Sequence, residues 1–105
     1  MTGGTEGAIA GTLTLLVGGE AEALDRARPL LEVIGGSIHH FGSVGMGQQV
    51  KAVNQVLVAG SYAAVAEAIA LGQRLQLPME AVVTALRQGA AGSWALSHRS
   101  TAMLE

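Results

Sequence analysis

Only two segments of this chain have the pattern of a β-strand, and a helix separates them. Residues 12–17 begin with period-two alternation and end at Gly18-Gly19; residues 37–41 form the second segment, ended by Gly42. Between them, residues 20–34 place Leu24, Ala27, Leu31 and Ile34 on one helical stripe, with Glu20 and Glu22 in the first turn, where they complement the helix dipole. Pro29 removes one backbone donor and predicts a kink or an early stop, and Gly35-Gly36 is expected to close the helix. A strand–helix–strand series of about thirty residues makes a parallel β-α-β unit with a right-handed crossover. Two parallel strands do not form a free-standing sheet, because parallel sheets are covered on both faces and contain more strands. Apart from a short extended piece at residues 2–4, nothing else has strand pattern. The expectation is therefore the tail of a larger α/β domain, cut at Met1.

After Gly47 the pattern is helical throughout. Residues 48–75 are rich in alanine, leucine and valine, and their apolar positions run nearly all the way round. That predicts a long helix buried on several sides, by neighbours the rest of the chain only partly supplies. Pro78 suits the first turn of a second helix, with Glu80 beside it, running to Gly89. Ser93 can cap a last helix through Ala95, Leu96 and Met103, with Trp94 expected as a packing anchor. The fold class is thus an α/β fragment followed by an all-α part.

Charge narrows the function classes. Charged residues make up 13% of the chain, where about a quarter is usual. The chain therefore either hides surface against a partner or lacks part of its own structure. A net charge of −2 and six scattered cationic residues give no basic field, which argues against nucleic acid. No cysteine is present, so there is no disulfide, thiolate metal site or thiol nucleophile. The N-terminus has neither the basic segment nor the apolar core of a secretion signal. The longest uncharged stretch of the long helix, residues 52–66, includes Asn54 and Gln55 and falls short of the roughly 20 apolar residues that span a bilayer. These features predict a cytoplasmic chain with no membrane partner.

Lys51 is the only lysine, and it stands at the mouth of the apolar helix with Asn54 and Gln55 three and four residues on, on its own face. An ammonium there is costly to desolvate unless it is paired or loses its proton. It reads either as a residue that handles a proton on a small polar substrate, or as an edge lysine that snorkels to water. Gly3-Gly4, with Gly7 and Gly11 to follow, precedes the first strand. It reads either as a flexible end or as a nest of backbone N–H groups for a carboxylate; it is not the dinucleotide fingerprint, because it precedes a strand instead of following one and is expected to open no helix. Gly42-x-x-Gly45-x-Gly47 lies between strand and helix, but its glycine order is wrong for G-x-G-x-x-G. A hinge is the favoured reading, with a cofactor loop as the lesser one. His39 and His40 alternate across a strand and cannot share a metal, and one is expected to be partly buried. No metal site and no serine triad is supported.

Taken together, Thr2-Gly3-Gly4, Gly7-Ala8, Gly11 through Gly19, Gly45-x-Gly47-x-x-x-Lys51-x-x-Asn54 and Gly92-Ser93-Trp94 resemble the β-hydroxyacid dehydrogenase family. That family includes 3-hydroxyisobutyrate dehydrogenase and tartronate semialdehyde reductase and is related to 6-phosphogluconate dehydrogenase. The resemblance implies that residues 1–42 are the terminal β-α-β part of a Rossmann-type nucleotide-binding domain. It makes residues 43–105 the first helices of an all-helical substrate and dimerisation domain. It implies Lys51 as the catalytic lysine, Asn54 and Gln55 as groups that fix the lysine and the substrate hydroxyl, and Thr2, Gly3 and Gly4 as the loop for the substrate carboxylate. Gln55 resembles the tartronate semialdehyde reductase branch. The full-length parent would use NAD or NADP on a small hydroxy acid. This chain, without the G-x-G-x-x-G, would bind the cofactor poorly or not at all and be inactive alone. The alternative is a non-catalytic helical module that forms a homodimer through its long helix.

Overall fold

The computed structural model describes all of residues 1–105 and divides into two compact units, Met1–Gln55 and Val56–Glu105. The first unit holds helix α1 (Gly4–Ala10), strand β1 (Leu13–Val17), helix α2 (Ala21–Ile34), strand β2 (Gly35–His40) and the start of helix α3 (Met46–Arg74). The second holds the rest of α3, then helices α4 (Met79–Leu86) and α5 (Trp94–Leu104).

The β-α-β unit forms as its pattern predicts. β1 and β2 pair in parallel, with Leu15 opposite Ile38 and Val17 opposite His40. The alternation of β1 is real, for Leu13 and Leu15 are buried together with Leu24 of α2. Four local expectations are corrected. Strand β2 begins two residues earlier than expected, because Gly35, which closes α2 as its C-cap, also opens β2, and Gly36 is the extra residue where the register shifts between Leu13 and Thr14. Of the two outcomes expected at Pro29, a kink or an early stop, the stop does not occur, for α2 runs on to Ile34. Proline lacks only the N–H that would have met the carbonyl of Asp25, and the ladder resumes, ending with the Gly35 N–H on Leu31. Of the predicted stripe only Leu24 is fully buried; Ile34, also of the stripe, is exposed, as are Leu30 and Val33. His39 and His40 are both exposed; the His40 ring nitrogen Nε2 lies 2.7 Å from the Gly19 carbonyl oxygen.

Helix α1 was not expected. Seven residues long, it begins directly after Gly3 and ends at Gly11, whose φ of 68° is left-handed. The Thr12 N–H reaches back to the Gly7 carbonyl at 2.9 Å, closing the last turn as glycine-terminated helices do. The glycine-rich start therefore does open a helix, though not one that follows a strand.

In the second unit Val65 and Ile69 of α3 pack with Ala95 and Leu96 of α5, and Tyr62, Met79, Val83, Met103 and Leu104 gather round them. Ser93 caps α5, accepting from the Leu96 N–H at 3.0 Å. Pro78 sits one position before α4 rather than in its first turn. Trp94 is no packing anchor. It is 51% exposed, stacked on His98 at 4.6 Å between ring centres, with the Arg99 guanidinium 4.7 Å from its ring.

The long helix is less covered than its composition predicts. Val53, Val56, Leu57 and Leu71 are exposed, and only 17% of its most apolar eighteen-residue window is buried. By length and composition that helix could cross a membrane, a test that core helices of soluble proteins also pass.

Candidate active site

Strand β1 positions both halves of the candidate site. At one end Thr2 pairs with Thr14 in an isolated antiparallel bridge, with N–H to carbonyl distances of 2.8 and 2.9 Å. That bridge pins the segment Thr2-Gly3-Gly4 beside the sheet. Gly3 and Gly4 have φ of 131° and 63°, which sends the chain from the bridge straight into α1. At the other end the turn from β2 into α3 packs on the exit of β1. A side-chain carbon on Gly47 would lie 2.9 Å from the Leu16 carbonyl carbon and 3.0 Å from the Gly18 nitrogen. Only a glycine lets α3 begin this close to the strand, and Lys51 stands about one turn further along that helix.

The result is an open concavity of about 520 Å³ inside the first unit, lined by Thr2, Gly3, Gly4, Thr5 and Lys51, with Ala8 and Leu13. Residues 47 positions apart in sequence are thus brought to one surface, as the difference between Gly4 and Lys51 shows. Lys51 and Thr2 are half-buried. The first N–H groups of α1 have no carbonyl partner within the helix, and with the Thr2 hydroxyl they make a donor-rich rim. Lysine is the one charged side chain in the lining. A surface of donors facing an ammonium suits a small anion that also carries a hydroxyl or carbonyl.

The amides stand differently. Asn54 is half-buried and Gln55 exposed, and the Asn54 amide donates to the Gln55 side-chain oxygen at 3.1 Å. Neither lines the concavity. The structure therefore joins Thr2, Gly3, Gly4 and Lys51, and leaves the amide pair one turn along the helix, bonded to itself.

The turn from Gly42 to Gly47 packs on the exit of β1: a carbon on Gly18 would meet the Ser43 carbonyl oxygen at 2.5 Å and the Met46 nitrogen at 2.8 Å. No group of three or more metal-binding side chains occurs.

Comparison with known proteins agrees with the resemblance read from the motifs. Residues 45–105 match the family described as the NAD-binding domain of NADP-dependent 3-hydroxyisobutyrate dehydrogenase, and residues 1–42 match the NAD-binding domain of 6-phosphogluconate dehydrogenase. The chain is 47% identical over 96 residues to an NAD-dependent L-serine dehydrogenase of Pseudomonas aeruginosa, covering 91% of this chain and 32% of that one. A 3-hydroxyisobutyrate dehydrogenase of Salmonella typhimurium, 28% identical, superposes with a TM-score of 0.90, over 98% of this chain and 36% of its own. The Mycobacterium tuberculosis 3-hydroxyisobutyrate dehydrogenase solved with L-serine is 36% identical, with a TM-score of 0.82, over 94% of this chain and 34% of its own. The chain spans about a third of the length of the curated relatives it matches.

Proposed function

The chain belongs to the 3-hydroxyisobutyrate dehydrogenase family, and we propose that its concavity is the substrate side of an NAD(P)-dependent hydroxyacid dehydrogenase. The observation that carries this reading is the meeting of Thr2-Gly3-Gly4 with Lys51 on one surface. The family's cofactor is NAD or NADP, and a nicotinamide supplies or accepts the hydride in such a reaction. This chain's residues act on the substrate. The Thr2 hydroxyl and the free N–H groups at Gly4 and Thr5 hold the carboxylate. The Lys51 ammonium gives its proton to the oxygen that becomes a hydroxyl, and in the oxidation direction the neutral amine takes that proton back. Asn54 and Gln55, freed from one another, steady the lysine and the substrate hydroxyl from the next turn of the helix.

In this reading residues 1–42 belong to the nucleotide side and residues 43–105 to the substrate side, the chain works in the cytoplasm, and neither membrane nor nucleic acid is its partner. By itself the chain binds little cofactor and does not turn over. The substrate is a small hydroxy acid, interconverted with its semialdehyde or keto acid.

The test is an amide NMR titration with L-serine and 3-hydroxyisobutyrate. Shifts should concentrate at Thr2–Thr5 and at the first turns of α3, and Lys51→Ala should remove those on the helix. Shifts scattered over the surface, or unchanged in the variant, sink the reading. In a chimera that places these residues within the serine dehydrogenase, Lys51→Ala should lower kcat by about 10²–10⁴-fold.

A second reading is favoured by one observation: the exposed valines and leucines of α3, with Val56 at 74% and Leu57 at 70%. Faces of that kind mark association sites. The helix would then pair with its copy in a homodimer, with or without catalysis, and light scattering at micromolar protein decides it. A stable monomer removes this reading.

A further inference from the structure

Resting on the reading of the concavity as a hydroxy-acid site, we propose that Glu6 sets the charge class of the acid it accepts. Monoanions and zwitterions enter, and dianions are turned away. Gly4 lines the concavity, and a carbon built on it would lie 3.0 Å from Glu6 Oε2, so the Glu6 carboxylate lies beside Gly4, next to the lining though not part of it. No cation neutralises it; the chain's one ion pair is Arg28 with Asp25. Its ordinary role, a negative charge in the first turn of a helix, is satisfied as well. That role does not depend on what approaches Gly4, whereas the electrostatics at the loop do.

The charge count of the site is then one positive and one negative: Lys51 in the lining and Glu6 at the edge. A single carboxylate meets attraction and repulsion together. A second anionic group on the Gly4 side lies nearer Glu6 than Lys51 and meets the repulsion more than the attraction, and an ammonium group there is drawn to Glu6. The substrate class that suits this pair is a hydroxy acid whose remaining substituent is neutral or an ammonium. Two unit charges 4–8 Å apart in water interact enough to change an affinity by about two- to fivefold, less at high salt.

The experiment titrates the chain with L-serine, glycerate and malate at neutral pH, as a zwitterion, a monoanion and a dianion of similar size. Amide shifts at Thr2–Gly4 are the readout. Malate should bind most weakly to the unaltered chain. Glu6→Gln should raise the malate affinity relative to serine by about two- to fivefold, and Glu6→Ala should do the same. Glu6 is exposed, so neither change threatens the fold. A malate-to-serine ratio that stays put in both variants overturns the role of Glu6 and leaves the site standing. Silence at Thr2–Gly4 with every acid, in every variant, removes the site itself and this role with it.

Discussion

Three glycines of the same helix make one test of whether close packing or helix propensity decides the start of α3. Glycine in a helix costs about 1 kcal/mol relative to alanine, so propensity alone predicts that alanine stabilises at Gly47, Gly60 and Gly72 alike. The structure predicts three different results. At Gly60 an added carbon meets nothing within 4 Å, so Gly60→Ala should gain the full propensity term, about 0.5–1 kcal/mol. At Gly72 the added carbon runs into the Met79 side chain, which is flexible and can move, so gain and loss should nearly cancel. At Gly47 the obstruction is backbone: the Leu16 carbonyl group and the Gly18 nitrogen. Backbone cannot rotate away, and overpacking of this kind costs about 1–3 kcal/mol. With the upper part of that range set against the propensity gain, Gly47→Ala should lose about 2 kcal/mol. Thermal and urea melts followed by circular dichroism, at one fixed protein concentration, measure all three. A shift of about 4–8 °C per kcal/mol separates them in a chain of this size. If Gly47→Ala melts as high as Gly60→Ala, the close contact of α3 with β1 is not a constraint, and the placement of Lys51 loses its mechanical basis.

Other outcomes follow from single contacts. Ser93→Ala removes the acceptor for the Leu96 N–H and should cost about 1 kcal/mol in the same melts, whereas Ser93→Asp should restore most of it. Trp94 is the only tryptophan and is half open to solvent, so acrylamide should quench its emission readily. A shielded indole would mean that another surface covers it in solution. Leu57→Glu puts a charge on the exposed side of α3 and should leave the melt within about 0.5 kcal/mol of the parent while lowering the scattering mass of any dimer. A dimer that survives the change does not use that face.

The parts that sequence reading caught are those governed by local rules. Period-two alternation marked β1, a serine before an apolar run marked the cap of α5, and glycine spacing marked the turn between β2 and α3. The candidate residues Thr2-Gly3-Gly4 and Lys51 came from a motif spread over both ends of the first unit, though their meeting on one surface did not. What failed was burial. Trp94, the strand histidines His39 and His40, the outer residues of α2 and most of α3 are more exposed than their chemistry predicts. Burial depends on neighbours, and these residues make up about a third of the relatives' length. Helix α1 failed for a different reason. Seven residues that include two glycines carry almost no propensity signal. The available clue was Gly11, a left-handed stop directly after Ala8-Ile9-Ala10.

β1 holds both segments of the candidate site. A two-stranded sheet is a weak scaffold, yet both segments are fastened to the same five-residue strand, by different kinds of contact. Thr2 is held to Thr14 by two backbone hydrogen bonds, which fix direction and register. Gly47 is held at Leu16 and Gly18 by steric fit, which fixes distance. Because each segment is referred to β1, a shift of the strand moves Thr2-Gly3-Gly4 and Lys51 together, and their separation changes little. The side chains of β1 that point into the sheet's core, Leu13 and Leu15, are among the most buried in the unit. Substitutions there should lower stability first and alter the site only as the strand itself is lost. A change at Gly47 acts in the opposite order, because it moves the lysine while the loop stays pinned at Thr14.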